Sequence, residues 1–436
     1  MIRDTLKGFL LTRTLAPSSS AMTPPNFLST DGSAAAPEGL VRAPCPACGA
    51  QMQYSAERKA LACTHCGTTQ ELVLTKNGLH ENALAPELGG PTSRATGHLP
   101  DVVANLLGSL TGLSGLAVPV AALVGRFGAD AKADAQAAPT TPPDGVATEE
   151  KRLFSCRSCG AQTSAGYDAL TLTCAFCGSK DINPDAQKTR LIVPAGVLPF
   201  QLPKPEATAS FKKWVGSRWL APNDLGAGAT LDNLRGVYVP FWTFDAQAHS
   251  KWSGEAGRHV GAGSKRRTDW TRRSGSHDHF YDDHLETASR FLLAPGHEAM
   301  CREVASYALQ DTVDYDPRLL LGWEAEVYGV DLPEAATRAR HALEAQEREA
   351  CSRELGGDTQ RNVEVETTLT NLTYKHLLLP LWLCAYVYKG NVYHFLVNGQ
   401  SGRISGRHPY SPWKIAGLVL LAIMALLAWA WLKSKQ

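Results

Sequence analysis

Hydrophobic positions along this chain form runs of three kinds. The first kind is unbroken. Residues 415–432, IAGLVLLAIMALLAWAWL, run for eighteen residues without a charge. Apolar on every face, they predict a helix of about 27 Å, close to the hydrocarbon thickness of a bilayer. Trp413 precedes the run, Trp429 and Trp431 close it, and Lys414, Lys433 and Lys435 flank it, as expected of interfacial residues. A second uncharged run, 102–124, is long enough to span but contains Gly, Pro and polar residues throughout. It predicts a segment that lies on a membrane, packs against a partner or serves as an apolar linker.

Runs of the second kind suit strands. Residues 236–252, GVYVPFWTFDAQAHSKW, are dense in β-branched and aromatic residues, with an irregularity expected at Pro240. Residues 377–399 repeat the Pro-apolar-Trp signature (Pro240-Phe241-Trp242 and Pro380-Leu381-Trp382) and carry a KGN turn. Residues 363–374 alternate. Equivalent strands of one antiparallel sheet follow. The third kind has helical spacing. Residues 205–219 place Phe211, Trp214, Val215 and Trp219 on one core-facing side. Residues 333–355 run from Pro333 to Gly356-Gly357, with a thin stripe of Ala336, Ala339, Leu343 and Ala350.

Cysteine spacing adds what hydrophobicity does not show. Cys45, Cys48, Cys63 and Cys66 form two CxxC pairs fourteen residues apart, and Cys156, Cys159, Cys174 and Cys177 repeat the device 111 residues later. Aligned without a gap, 45–67 and 156–178 match at nine of 23 positions, including the Gly that closes each half. Such spacing predicts a zinc ribbon, in which two knuckles complete a tetrahedron of thiolates. Two Zn2+ ions, one per ribbon, are expected. Four sulfurs close the coordination sphere, so the role is structural. His65, inside the second knuckle of the first ribbon, is not needed as a ligand, because Phe176 stands at the same place in the second.

The expected architecture is multidomain: two small four-cysteine zinc ribbons, an α+β domain with an antiparallel sheet, and one C-terminal transmembrane helix. Boundaries fall at 1–42 (disordered tail), 43–75 (first ribbon), 76–150 (Gly/Ala/Pro-rich linker), 151–183 (second ribbon), 184–411 (α+β domain) and 412–436 (membrane anchor). The linker reads as a long leash for the first ribbon. At 436 residues the chain exceeds one ordinary core. Eight of eleven Cys sit in the ribbons, which points to metal thiolates in a reducing compartment and not to a disulfide framework. Net charge is +1, against a molecule built wholly for nucleic acid.

Catalytic motifs are missing. His297-Glu298 lacks the second His of HExxH, and no P-loop or GxSxG elbow occurs, so a non-enzyme is expected. Residues 257–284 are polar and basic. KRRTDWTRR (265–273) offers Arg and Trp270 to nucleic acid, and HDHFYDDH (277–284) offers three His and three Asp to a metal. A solvated hairpin face is the plainer reading of both.

The VYVPFWTFDA strand (237–246) and the LPLW to PYSPWK block (379–414) that leads into the apolar helix resemble a bacterial family with transcription factor IIB-type zinc ribbons. Members are often labelled as similar to the primosomal helicase replication factor Y, and some are associated with phage-shock protein A-like and flotillin-like (SPFH) proteins. The resemblance implies a single-pass inner-membrane protein with most of the chain cytoplasmic, acting as an adaptor that recruits such a protein partner. A nucleic-acid-binding role is the alternative. Two ribbons and a long apolar linker depart from the family pattern.

Overall fold

The computed structural model describes residues 43–84, 94–96, 146–164, 174, 176, 179–181, 183, 187–225, 234–261, 266–389 and 391–434. The expected 1–42 tail, the 102–124 run and Cys177 lie outside them.

In chain order the strands begin with β1 (Met52–Ser55), β2 (Ala60–Cys63) and β3 (Thr69–Gln70), which form the sheet of the first cysteine module. Strands β4 (Asn82–Ala83) and β5 (Arg94–Thr96) follow. The second module has β6 (Thr148–Ser155), β7 (Gln162–Ser164) and β8 (Gln187–Ile192), ordered β7-β6-β8. Next come β9 (Gly196–Val197), helix α1 (Lys204–Gly216), and the long strands β10 (Arg235–Val260) and β11 (Arg267–Thr287). Short helices α2 (Arg290–Leu293) and α3 (Glu298–Val304), then β12 (Val313–Asp314) and β13 (Glu324–Ala325), lead to α4 (Leu332–Leu355). The chain continues through β14 (Thr359–Tyr388), β15 (Asn391–Asn398), β16 (Ile404–Gly406) and α5 (Pro412–Ser434).

One antiparallel spine organises all of this. β10 and β14 pair from Arg235–Leu383 to Gly257–Thr359, and the order of the main sheet is β11-β10-β14-β15-β16. The two Pro-apolar-Trp signatures are neighbours in it: Pro380 lies opposite Tyr238, and Pro240 opposite Leu378. Pro240 does not break the pairing. Its carbonyl accepts from Ala288 N, so its nitrogen also points away from β14, into the gap between β13 and the start of β11. No bond to β14 is lost there. The irregularities fall instead at Asp245, where the register shifts on both sides of β10, and next to Gly254. Residues 363–374 and 377–388 prove to be one continuous strand, flanked in turn by β5, β4, β9 and β15.

Strand alternation separates the core into two faces. Tyr238, Leu378, Trp382 and Cys384 pack with Met52, Tyr54 and Leu61 of the first cysteine module and with Phe211 and Trp214 of α1. Val237, Val239, Leu377, Leu379, Leu381 and Leu383 point the other way, to Cys156, Cys174 and Phe176 of the second module and to α2 and α3. The modules therefore occupy opposite faces of one sheet. Far from hanging on a leash, the first is held by Tyr54 N to Leu321 O (2.9 Å) and Trp323 Nε1 to Tyr54 O (2.9 Å). Its exit strand also stays bound, with Asp314 N donating to Thr75 O and β4 pairing with Thr373–Tyr374. The cause is apolar: Met52, Tyr54 and Leu61 are too many large side chains for so small a sheet to cover alone.

Two helical expectations need adjustment. Phe211, Trp214 and Val215 are buried as predicted, but α1 stops at Gly216 and Trp219 lies outside it, 65% exposed. On α4 the buried stripe runs Ala335, Ala336, Ala339, Leu343, Glu347, Cys351, Leu355, and Ala350 stands beside it. Glu347 enters the stripe because two hydroxyls meet it: Ser250 Oγ at 2.6 Å and Tyr281 OH at 2.8 Å. Asp331 caps the helix by accepting from Glu334 N.

Candidate metal centres

The first Cys of each CxxC donates its backbone N–H to the carbonyl five residues on. Cys45 N donates to Ala50 O, Cys63 N to Thr68 O, Cys156 N to Ala161 O and Cys174 N to Ser179 O, all within 2.7–2.9 Å. Gly49, Gly67 and Gly160 then donate back to Cys45, Cys63 and Cys156, at φ of 74°, 77° and 75°. That conformation is strained for any residue with a Cβ, which is why Gly follows the second Cys of a knuckle. The β1–β2 hairpin, in register from Met52–Cys63 to Ser55–Ala60, brings the two knuckles of the first module together.

The four sulfurs of Cys45, Cys48, Cys63 and Cys66 all lie within 4.8 Å of one another, with Cys45–Cys66 and Cys48–Cys63 both at 3.5 Å. A zinc ion bonded to four thiolates at about 2.3 Å would hold them about 3.8 Å apart, so the set fits. Cys45 and Cys63 are buried, Cys48 and Cys66 exposed. The Thr68 hydroxyl, 3.1 Å from Cys66 Sγ, and the Thr68 amide favour the thiolate and lower Cys66 to about 6. In the second module Cys156, Cys159 and Cys174 converge in the same way, with Cys159–Cys174 at 3.5 Å. Both clusters can hold a metal ion. His65 is exposed and outside the sulfur set, whereas Phe176, its counterpart, is buried against Phe291 with ring centroids 5.1 Å apart.

The acidic and His-rich strand behaves differently. Along β11, alternation sends its candidates apart. His277 Nδ1 meets Glu354 of α4 (2.6 Å), Asp278 pairs with His249 (2.6 Å) and Tyr281 reaches Glu347. No three His and Asp of 277–281 converge among the described residues. Asp282 and Asp283 do approach Asp245 at the double bulge, but an ammonium group is already there. Lys375 Nζ, 7% exposed with its residue, sits 2.7 Å from Asp283, 3.2 Å from Glu81 and 3.9 Å from Asp245. Burial alone would lower Lys375, but the three carboxylates raise it. Sequence reading missed this cluster because its members are 294 positions apart at the extremes, and only the bulge gathers them. The Arg-rich run is also engaged: Arg361 covers the Trp270 ring at 4.1 Å, and Arg273 Nη1 donates to Leu355 O.

A small, partly open cleft of about 50 Å3 lies where β6 and β8 meet the main sheet, lined by Glu149, Ile192, Glu326, Tyr328 and His376 among others. His376 Nδ1 is paired with Ile192 O, and Glu326 Oε1 accepts from Ser289. Their remaining atoms, His376 Nε2 and Glu326 Oε2, have no protein partner, so the space suits bridging water. Burial lowers His376 to about 3 and raises Glu326 well above the carboxylate range.

Helix α5 is long and apolar enough to cross a membrane, and none of its apolar window is buried within the chain.

No protein-family profile matches the sequence, and no solved structure matches it. It is similar to YdjG of Bacillus subtilis (strain 168), a protein described as uncharacterized: the two are 27% identical over 233 residues. The match covers 52% of this chain and 66% of YdjG, just under two thirds of that relative.

Proposed function

We propose that the chain is a membrane-anchored, zinc-stabilised scaffold that presents two ribbon surfaces to a protein partner and performs no catalysis. The carrying observation is the placement of two cysteine clusters, one of four sulfurs and one of three among the described residues, on opposite faces of a single sheet whose last strands feed an unburied apolar helix. Cys45, Cys48, Cys63 and Cys66 would hold one Zn2+, and Cys156, Cys159, Cys174 and Cys177 a second. Bound zinc would fix each hairpin and, with four sulfurs, leave no position for a reacting water. Helix α5 would hold the body at the bacterial inner membrane, with the thiolates on the reducing cytoplasmic side. Phage-shock protein A-like or flotillin-like proteins are the partner classes that the sequence resemblance suggests. Nucleic acid finds less support, since Trp270 is covered by Arg361 and Arg273 is tied to the end of α4.

The test is affinity capture of the full chain from native membranes. Recovery of a partner of either class, lost when the eight ribbon cysteines become Ser, is the expected result. Recovery unchanged by those substitutions would refute the role of the ribbons. Salt-sensitive retention of nucleic acid by the purified protein would favour the alternative.

A further inference from the structure

The root of α5 is strapped to a turn almost two hundred residues earlier in the chain. Lys414 Nζ donates to Trp219 O (2.9 Å), Ala221 O (2.7 Å) and Asn223 Oδ1 (2.6 Å), so all three of its N–H groups have acceptors. Ser411 N donates to Leu220 O at 2.8 Å. His408 fills the space between, its ring 5.7 Å from Trp214 and 4.9 Å from Tyr410. The turn after α1 is thus a fixed neighbour of the first turn of α5.

What this junction exposes is unusual for a soluble surface. Trp219 is 65% exposed, Tyr410 60% and Trp413 86%. The flanking charges are mostly basic: the acid next to the turn, Asp224, is exposed and accepts from Tyr388 OH at 2.9 Å. Lys212, Lys213, Arg218 and Arg403 are exposed, and no Asp or Glu occurs from Lys212 to Asn223 or from Arg403 to Lys414. Large aromatics with a polar edge partition to the level of the lipid headgroups, and Lys and Arg beside them are drawn to anionic phosphates. Both features are continuous with α5, the candidate span.

We propose that Trp219, Tyr410 and Trp413 form an aromatic collar, edged by Lys212, Lys213, Arg218 and Arg403, that seats in the interfacial zone of an anionic bilayer. The collar rests on reading α5 as a membrane span and adds a second contact, from a distant part of the chain. With a helix alone the body could swivel about its anchor. With Trp219 seated as well, its tilt is set, and the two cysteine modules are held at fixed orientations to the membrane.

The experiment uses the full chain labelled with 5-fluorotryptophan, in nanodiscs of phosphatidylethanolamine and phosphatidylglycerol. Trp219→Phe, Trp413→Phe, Trp429→Phe and Trp242→Phe assign four fluorine resonances. Nitroxide-bearing lipid, labelled near the headgroup, and a water-soluble gadolinium chelate are then added in turn. The proposal expects the nitroxide lipid to broaden Trp219 and Trp413 at least threefold more than Trp242, which is fully buried in the sheet. It also expects the effect at Trp219 to shrink at least twofold when phosphatidylglycerol is replaced by phosphatidylcholine. If Trp429 is broadened by lipid while Trp219 responds only to gadolinium, the collar is refuted and the span stands. A Trp219 silent to both reagents, with Trp429 broadened, would mean that a protein surface covers the turn, which also refutes the collar. If neither Trp429 nor Trp219 responds to lipid, the span fails and the collar with it.

Discussion

Phe176 stacks at a tilt on Phe291, with ring centroids 5.1 Å apart and planes at 53°. One residue belongs to a cysteine knuckle and the other to α2 beneath the main sheet. Removing either ring should open a cavity, and Phe176→Ala should cost about 3 kcal/mol. The double variant should fall short of additivity by about 1 kcal/mol, the scale of an aromatic pair. Chemical denaturation of the four proteins closes this cycle. Additive losses would show that Phe176 does not dock its module through Phe291.

Trp323 does the corresponding work on the opposite face. Its indole N–H donates to Tyr54 O, its ring stacks on Phe200 at 3.9 Å, and a Cβ on Gly236 would come within 2.2 Å of it. Gly236→Ala should therefore displace Trp323, at a cost of about 1–3 kcal/mol. Amide exchange should accelerate most at Tyr54, whose N–H bonds to Leu321. Unchanged protection at Tyr54 would uncouple the first module from this ring.

Lys375 is the internal cation of the bulge. Lys375→Met leaves Asp245 and Asp283 facing each other in a buried setting and should destabilise by about 3–5 kcal/mol. Glu81→Gln should cost under about 1 kcal/mol, because Glu81 is 43% exposed and its partner keeps two other carboxylates. Urea titrations of both variants measure the contrast. Equal losses would mean that the ammonium is not the centre of the cluster.

His376 sets a pH dependence of definite sign. Burial lowers it in the fold to about 3 from an ordinary 6.5. Above pH 6.5 it is neutral in both states and contributes no slope. As the pH falls below 6.5 the unfolded chain takes up a proton that the fold refuses, so stability drops by about 1.4 kcal/mol per pH unit until the folded value is reached. Thiolate-bound metal is also lost in acid, so the informative quantity is a difference. At fixed zinc, His376→Asn should flatten the slope between pH 6.5 and 5 by about one proton. Identical slopes would place a protonated or solvated imidazole in the fold.

How much of this was legible beforehand depended on the range of each signal. The two cysteine clusters, α4, α5 and the strand character of 236–252 are local patterns, and each appears where its spacing placed it as far as the described residues reach, Cys177 lying outside them. Relations between distant segments were not legible. Trp219 has the helical spacing of a core residue, yet the chain turns at Gly216 and carries it outward. Pro240 marks the expected irregularity of its strand, but its nitrogen faces a gap between two neighbours, while the bulge at Asp245 leaves no mark in one sequence. The expectation of a leashed first module failed for a similar reason. Tyr54 and Met52 are ordinary within their own hairpin, and only the sheet beneath them shows what they cover. The unbroken apolar run 377–383 fits a strand buried on both faces, but does not say what lies on each.

The central claim is that two four-sulfur zinc centres brace opposite faces of one sheet. Zinc analysis of the full chain, with zinc-edge X-ray absorption on the same sample, tests it most directly. The account predicts two zinc ions per chain and four sulfur neighbours at about 2.3 Å for each. It also predicts loss of one ion when Cys45 and Cys48 become Ser, and of the other when Cys156 and Cys159 do. A single zinc ion, or nitrogen and oxygen neighbours in the absorption spectrum, would contradict it.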